Sequence, residues 1–249
     1  MSPTATNSTQ DYPQLAFIGA GNMARSIIGG LVQEGYPSER ISASDTKPHL
    51  LTQMEADFSV RTGDNLSIAR AAQVVILAVK PQVMGEVARE LRAALDHKPL
   101  LISIAAGIPI TSLSRRLGED QALVRCMPNT PSLVKVGACG LFANAFTSER
   151  HKAIAEHIMS AVGLALWLDN EALLDSVTAV SGSGPAYFFL VMEAMIDAGT
   201  ELGLDRQKAT QLTLQTALGA AHLAQHSEAP VAELRRQVMS PGGTTEAAI

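Results

Sequence analysis

The chain has 249 residues, 47% of them hydrophobic, and its 19 Lys and Arg against 24 Asp and Glu give a net charge of −5. This length and apolar content allow one large domain or two smaller ones, and they exclude a solvated or fibrous chain. The basic residues form no stripe, so nucleic acid is a poor partner and a small molecule is expected instead.

The cysteines and the N-terminal segment exclude further classes of protein. Cys126 and Cys139 form no CxxC pair and lie near no histidine cluster, so we predict two buried thiols, no metal site and no disulfide. Residues 1–13 lack the basic and apolar regions of a signal peptide, and no later apolar run reaches the roughly 18 residues of a membrane span. We expect a disordered leader over residues 1–13, a cytoplasmic location and no membrane partner.

From Leu15 to about Asp169, short apolar runs alternate with helical stretches. The predicted strands are, in order, LAFIGA, ISASD, SVRT, VVILAV, LLISIAA, ALVRCM, GACGLFA and ALWLD, and helices are predicted up to about residue 34 and over about 48–56, 82–95 and 110–117. Continuous apolar strands separated by helices are typical of a parallel, doubly wound sheet. We therefore predict an α/β domain over residues 14–169.

The remainder, residues 170–249, is predicted to be all helical, with helices over about 171–180, 185–202, 206–225 and 230–238. The second of these carries apolar residues on several faces, too many for a surface helix with one wet side. They are Phe188, Phe189, Val191, Met192, Met195 and Ile196. A domain this small is short of surface to cover them, so a homodimer through this segment is expected.

A glycine-rich motif follows the first predicted strand. Gly19, Gly21 and Ala24 have G-x-G-x-x-A spacing and open a helix at Asn22 and Met23. The first glycine permits a tight turn, the second lets the backbone approach a pyrophosphate, and the alanine lets helix and sheet pack closely. We interpret the motif as a dinucleotide site; the alternative is a glycine-rich structural turn.

The end of the second strand bears on which dinucleotide binds. Asp45 lies 24 residues beyond Gly21, where an acidic residue would take the ribose hydroxyls of NAD. Thr46 and Lys47, beside Ser44, could instead hold a 2′-phosphate with Asp45 turned away, or Asp45 and Lys47 could be a solvated turn pair. The sequence leaves NADH and NADPH both open, and we place NADPH slightly ahead.

Further loops follow the central strands. Ligands of open α/β sheets lie at the carboxyl ends of strands, so these loops are expected to border the cofactor. The residues are Ala78, Val79, Lys80 and Pro81 in AVKPQ and Ala105, Ala106 and Gly107 in SIAAGI. We favour a helix start at Pro81, with Lys80 contributing backbone more than amine. Asn129 and Thr130 in RCMPNTP either face the ligand or cap a turn, and the serines of VSGSGPAY either cap a helix start or bind substrate.

Six of these motifs, taken together, resemble the pyrroline-5-carboxylate reductase family. They are FIGAGNMA, LAVKPQ, SIAAGI, RCMPNTP, VSGSGPAY and MSPGGTT, in the family's order and across nearly the whole chain from Leu15. The resemblance implies an N-terminal Rossmann domain, a helical C-terminal domain that binds substrate and dimerises, and dimers that assemble further into a ring. It also implies the reaction, in which NAD(P)H reduces the cyclic imine L-1-pyrroline-5-carboxylate to L-proline.

The resemblance assigns roles to individual residues in the second half of the site. The substrate carboxylate is expected at the helix start formed by Ser240, Gly243, Thr244 and Thr245, with Thr245 also the hydrogen-bond donor or proton relay at the imine nitrogen. Glu228 matches a family carboxylate near the substrate, although a solvated loop residue is an equal alternative. Asn65 matches an asparagine at the adenosine end, and a helix N-cap is the alternative for it.

Two alternative functions are considered, and the sequence differs from the family in one respect. The alternatives are a cofactor-binding protein without catalysis and a β-hydroxyacid dehydrogenase; the second needs a lysine base, and none occurs between Ser181 and Gln207. Family members continue past SPGGTT with a further helix, whereas this chain ends at Ile249. Either the C-terminal domain is truncated in this sequence or the protein closes the site differently, and the six residues after Gly243 do not make a stable isolated helix.

Overall fold

The computed structural model describes residues 12–248 and divides into two compact units, one ending at Pro185 and the other starting at Ala186. The division falls later than the boundary at residue 169 expected from the change in pattern. The intervening stretch belongs with the sheet because its short helix is anchored by Leu174, which is 1% exposed.

All eight predicted strands are present, and they form a single sheet. Their bounds are Leu15–Ile18 (β1), Ile41–Ser44 (β2), Arg61–Thr62 (β3), Val74–Leu77 (β4), Leu100–Ser103 (β5), Leu123–Met127 (β6), Gly137–Ala143 (β7) and Gly163–Trp167 (β8). The order across the sheet is β3-β2-β1-β4-β5-β6-β7-β8. From β1 the strand order runs outward in one direction through β2 and β3, and from β4 it runs outward in the other direction. Doubly wound sheets bind ligands in the crevice at this switch point, between β1 and β4.

One strand departs from the predicted parallel arrangement. β7 runs antiparallel to β6, with Val124 opposite Ala143, while every other neighbouring pair is parallel. A parallel return needs a crossover of a dozen or more residues, usually a helix. Only residues 128–136 connect the two strands, and they form a short 3-10 turn at Thr130–Val134, so the chain can only double back.

Seven helices cover the sheet in this first unit. They are Asn22–Gln33 (α1), Pro48–Phe58 (α2), Asn65–Ala71 (α3), Pro81–Leu91 (α4), Ile110–Leu117 (α5), Glu149–Ser160 (α6) and Leu173–Val177 (α7). The sequence interpretation missed α3 and α6, which are short or weakly periodic. Their capping residues were the available signal: Asp64 accepts from the Ser67 amide at 2.9 Å, and Ser148 accepts from the His151 amide at 3.2 Å.

Hydrophobic clusters lie on both faces of the sheet. Successive residues of β1 alternate between them: Leu15 and Phe17 pack in one cluster, and Ala16 and Ile18 in the other. Each of these side chains is at most 1% exposed, which explains why the strand is apolar throughout instead of alternating. The prediction of a doubly wound sheet is confirmed.

The two cysteines are free and buried, as predicted. Both belong to the cluster that contains Phe17. Burial is the main reason that the pKa of the Cys126 thiol is raised, and the neighbouring Cys139 raises it further. These thiols therefore act as small apolar side chains.

Tyr12 and Pro13 precede the first strand and contact Tyr36. Tyr36 donates its hydroxyl to the Pro13 carbonyl at 2.5 Å, and its ring packs edge-on against Tyr12 with centroids 4.8 Å apart. The predicted leader covered residues 1–13, of which residues 1–11 lie outside the described chain. Tyr12 and Pro13 pack against the α/β unit.

The last four helices are Gly184–Glu201 (α8), Arg206–His226 (α9), Val231–Val238 (α10) and Thr244–Ala248 (α11). A π-helical turn, Thr178–Gly182, joins α7 to α8, and its Ser183 amide donates to the Thr178 carbonyl at 2.8 Å. The Ser181 hydroxyl donates to the Val177 carbonyl at 3.0 Å. Ser181 therefore does not cap a helix start, because it lies within the π-helical turn and its hydroxyl bonds back along the helix.

The helices of the second unit expose apolar side chains. Phe188, Phe189 and Leu190 on α8 are between 62% and 68% exposed, and Leu214 and Leu218 on α9 are more than half exposed. A groove of about 730 Å³ lies within this unit, lined by residues of both helices. An exposed surface this apolar is typical of an interface with another protein molecule.

Candidate active site

The glycine-rich turn after β1 is shaped by Gly19. Its φ is +103°, a conformation that side chains strongly disfavour, and a Cβ there would lie 2.8 Å from the Ala78 carbonyl oxygen. The Gly19 amide donates to the Ser44 carbonyl at 2.9 Å, which ties the turn to the end of β2. Glycine at this position thus brings the ends of β1, β2 and β4 together.

The start of α1 provides an anion site of the kind that dinucleotides use. Gly21 occupies the N-cap position without a side-chain cap, and a Cβ at Gly21 would meet no atom within 4 Å. The first-turn amides of Asn22 and Met23 are helix-start donors, and no acidic residue occupies this turn. Ala24 is 1% exposed against the sheet. Open space above Gly21 and uncapped amides fit a bound pyrophosphate.

Asp45 supports the same turn from the end of β2. One carboxylate oxygen accepts from the Ala20 amide at 2.9 Å, and the other accepts from the Lys47 amide at 2.9 Å. Each carboxylate oxygen therefore accepts a hydrogen bond from one backbone amide. Lys47 itself is exposed at the N-cap position of α2.

Asn65 lies beside these residues. Its side-chain oxygen accepts from the Ser44 hydroxyl at 2.6 Å, and its nitrogen donates to Glu90 at 3.0 Å. It is not the N-cap of α3, because Asp64 holds that position. Asn65 is thus fixed at the edge where the adenosine end of a dinucleotide would lie in a fold of this type.

The loops after β4 and β5 lie at the same carboxyl edge of the sheet as the glycine-rich turn. Lys80 is the exposed N-cap residue of α4 and Pro81 is its first residue, which confirms the predicted helix start. Ala78 and Val79 are partly buried, and the Ala78 amide donates to the Ile18 carbonyl at 2.8 Å.

In the β5 loop, Ala105 is buried while Ala106 and Gly107 are exposed. Gly107 has a φ of +71°, and a Cβ there would meet no atom within 4 Å. Every residue predicted to contact the cofactor therefore lies at the carboxyl edge of four neighbouring strands or at the start of the adjacent α3.

Asn129 does not cap the turn that follows it, and its side chain joins two other segments of the chain. Its side-chain oxygen accepts from the Ala138 amide at 2.9 Å, and its nitrogen donates to the Ser181 carbonyl at 3.0 Å. It is buried and makes no side-chain cap to the 3-10 turn that begins at Thr130. Asn129 therefore ties the SGSG segment to the end of β6.

Sequence reasoning missed an ion pair beside this segment. Glu171 accepts from the Arg125 guanidinium at 3.0 Å and from the Ile110 amide at 2.7 Å, both through its Oε1 atom. The two charged side chains are only 23% and 10% exposed. An arginine inside the otherwise apolar strand ALVRCM was the available signal, because a buried charge needs a partner.

The SPGGTT motif, in the second unit, forms a turn that opens α11. Gly242 has a φ of +73° and α11 begins at Thr244. The Gly243 amide donates to the Ser240 carbonyl at 2.9 Å, and the Gly242 amide donates to Glu246 at 2.6 Å. The Gly243 amide, expected as a carboxylate donor, is thus already engaged.

The other predicted substrate residues lie in the same unit. Thr244 and Thr245 stand in the first turn of α11, where helical amides have no intrahelical acceptor. Thr245 is partly buried, and Ser240 is exposed. Glu228 is exposed in the segment between α9 and α10.

A doubly wound sheet with an uncapped, glycine-rich helix start at its switch point defines a dinucleotide-binding protein. Comparisons with known proteins refine this class. The family model for pyrroline-5-carboxylate reductase dimerisation matches residues 171–249, and a model described as NADP oxidoreductase, coenzyme F420-dependent, matches residues 14–107.

Individual relatives agree along nearly the whole chain. A pyrroline-5-carboxylate reductase of Pseudomonas aeruginosa is 56% identical over 95% of this chain and 87% of that protein. The structure of a Coxiella burnetii pyrroline-5-carboxylate reductase superposes with a TM-score of 0.91 at 45% identity, covering 96% of this chain and 89% of that one. The Plasmodium falciparum enzyme, solved with NADP bound, gives 0.84 at 30% identity, covering 95% and 87%. The chain belongs to the pyrroline-5-carboxylate reductase family.

The family assignment bears on the apolar helix. By length and composition alone, the helical stretch Leu173–Glu201 could cross a membrane, since it has 29 residues and a mean hydropathy of 1.3 over its most apolar window, which is only 6% buried. The sequence analysis counted uninterrupted apolar residues, whereas this stretch meets the criterion as a continuous helix that also contains acidic residues. The dimerisation model covers this whole stretch, so family membership gives its exposed face another partner.

Proposed function

We propose that this protein reduces L-1-pyrroline-5-carboxylate to L-proline with a reduced nicotinamide dinucleotide. The observation that carries the proposal is the uncapped start of α1 at Gly21, open at the switch point of the sheet, in a chain of this family. Imine reduction needs a hydride donor, a grip on the substrate carboxylate and a hydrogen-bond partner for the ring nitrogen.

The cofactor end of the site is built by the α/β unit. When bound, the nicotinamide supplies the hydride that reduces the C=N bond. The amides at Asn22 and Met23 bind the pyrophosphate, Gly21 leaves room for it, and the loops at Ala78–Pro81 and Ala105–Gly107 border the ribose and nicotinamide end. These residues hold and orient, and none needs to ionise.

One observation favours NADPH over NADH. It concerns Lys47, which follows Asp45, whose carboxylate oxygens each accept one backbone amide. Lys47 is exposed two residues further on and carries the positive charge that a 2′-phosphate would attract. NADPH is accordingly the preferred cofactor.

The substrate end is built by the second unit. The amides of Thr244 and Thr245 at the start of α11, with the Ser240 hydroxyl, bind the substrate carboxylate, and the Thr245 hydroxyl bonds the ring nitrogen. A hydroxyl does not ionise near neutral pH, so Thr245 orients the imine and relays a proton without acting as a strong acid. Glu228 is a further substrate contact by family resemblance.

The exposed faces of α8 and α9 pair with a second copy of the chain, and such dimers assemble into a larger ring. The apolar groove within the second unit and the dimerisation family model support the pairing. A second copy, and not a membrane, covers this surface in a cytoplasmic enzyme.

The test is NADPH oxidation with L-1-pyrroline-5-carboxylate, measured on the wild type, Thr245→Val and Thr245→Ser. Valine has nearly the shape of threonine without its hydroxyl, and serine keeps the hydroxyl. We expect kcat to fall about 100-fold for valine and less than about 5-fold for serine, as for loss of a hydrogen bond in the transition state. Equal kcat values for valine and wild type would contradict the role of Thr245.

A further inference from the structure

Glu171 connects three elements of the α/β unit through a single carboxylate oxygen. That oxygen accepts from the Ile110 amide at 2.7 Å and from the Arg125 guanidinium at 3.0 Å. Arg125 projects from β6 and is 9% exposed as a whole residue. Glu171 itself precedes α7, so the contact joins the segment that leads to SGSG with the sheet and with α5.

The bond to Ile110 caps a helix that has no local cap. Pro109 stands at the N-cap position of α5 and makes no side-chain cap. A proline lacks the polar side chain that normally accepts from a first-turn amide. Glu171 supplies the acceptor from 61 residues away, and its charge also suits the positive end of the helix.

The loop that ends at this helix start is the one at Ala105–Gly107. It leaves β5 at the carboxyl edge, and Gly107 has a positive φ with open space around it, so little packing restrains the loop at that point. Its far end is fixed where Ile110 meets Glu171. Ala105 is buried and Ile108 packs against the hydrophobic cluster that contains Ile18, so the bond from Glu171 adds a polar, charge-dependent restraint at the far end of the loop.

We propose that Glu171 is a positioning residue for hydride transfer, acting through the Ala105–Gly107 loop. The inference rests on the proposed function, in which this loop borders the nicotinamide end. Arg125 holds the carboxylate in place, and the carboxylate holds the start of α5, which sets how closely the loop approaches the reacting ring. Pyrophosphate binding at Gly21 does not depend on this contact, since it lies at the start of α1.

The experiment compares Glu171→Gln and Glu171→Ala with wild type and with Glu149→Gln. Glutamine keeps an oxygen for the Ile110 amide but loses the charge that pairs with Arg125, and alanine removes both. Glu149 is the matched control, because it forms a surface ion pair with Lys152 and its side chain is 88% exposed. NADPH binding is titrated by fluorescence, and turnover is expressed per NADPH-binding site so that unfolded molecules do not count.

We expect turnover per site to fall about 10-fold for glutamine and about 100-fold for alanine, because small misplacement of reacting groups has effects of this size. The Kd for NADPH should stay within about 3-fold of wild type, and Glu149→Gln should behave as wild type. With NADPH that carries deuterium at both C4 positions, the isotope effect on kcat should exceed the wild-type value, since hydride transfer becomes the slow step.

A merely structural role would give fewer binding sites with unchanged turnover per site and an unchanged isotope effect. That result for Glu171→Gln overturns the proposal, whether or not the alanine variant folds. Wild-type protein that binds NADPH and does not turn over pyrroline-5-carboxylate would instead overturn the proposed function, and this inference with it.

Discussion

Gly19 and Gly21 lie in the same turn, but their replacement by alanine should have different effects. Gly19→Ala should reduce the stability of the fold, and Gly21→Ala should reduce the affinity for the cofactor. At Gly19 a side chain must adopt a φ of +103°, which costs about 1–3 kcal/mol. Its Cβ must also lie 2.8 Å from the Ala78 carbonyl oxygen, which cannot retreat easily because the Ala78 amide is bonded to Ile18. Relieving such an overlap costs about another 1–3 kcal/mol.

Gly21→Ala is the matched control for the fold. Gly21 has a φ of −72°, and a Cβ there meets no atom within 4 Å, so the free energy of unfolding should fall by less than about 1 kcal/mol. The new methyl group projects into the space assigned to the pyrophosphate. We expect the Kd for NADPH to rise at least about 10-fold, equivalent to about 1.4 kcal/mol.

Urea unfolding and NADPH fluorescence titration measure the two effects. Gly19→Ala should lose about 2–6 kcal/mol of unfolding free energy, and Gly21→Ala should lose cofactor affinity at nearly unchanged stability. Wild-type affinity in Gly21→Ala would refute the placement of the pyrophosphate at α1. Wild-type stability in Gly19→Ala would refute the argument from backbone conformation and close approach.

Three further substitutions test separate parts of the account. Lys47→Ala should raise the Kd for NADPH about 10-fold and leave that for NADH unchanged, as measured by parallel titrations; equal effects on both cofactors would rule out a 2′-phosphate contact. Phe189→Glu places a charge on the exposed face of α8 and should give monomers by sedimentation velocity, whereas a wild-type oligomer would move the interface elsewhere. The Ser67 amide lowers the pKa of Asp64, so the stabilisation exists above the ordinary carboxyl range and is lost as pH falls through the lowered pKa. Thermal unfolding of wild type and Asp64→Asn should therefore converge in acid, and a constant difference across pH would contradict this.

The place of the proposed cofactor residues at the sheet edge was predictable because it depends on local patterns. An apolar strand, two glycines and an alanine at fixed spacing place Gly19, Gly21 and Ala24, and the next strand end places Asp45. The direction of β7 was not predicted, since it follows from the length of a connection whose 3-10 turn has no periodic signature.

Contacts between distant residues were the part that sequence reasoning could not supply. Glu171 reaches Ile110 and Arg125, and Asn129 reaches Ser181, across 46 to 61 positions of the chain. No spacing rule connects residues that far apart. A charged or amide residue in an apolar or turn context shows that a partner is needed, but it does not identify the partner.

The central claim is most directly tested by following deuterium from the cofactor into the product. The protein is incubated with L-1-pyrroline-5-carboxylate and NADPH that carries deuterium at both C4 positions, and the product is examined by NMR. The account predicts L-proline carrying one deuterium at C5 for each NADPH oxidised. NADPH that binds but is not oxidised, or proline without deuterium at C5, would contradict it.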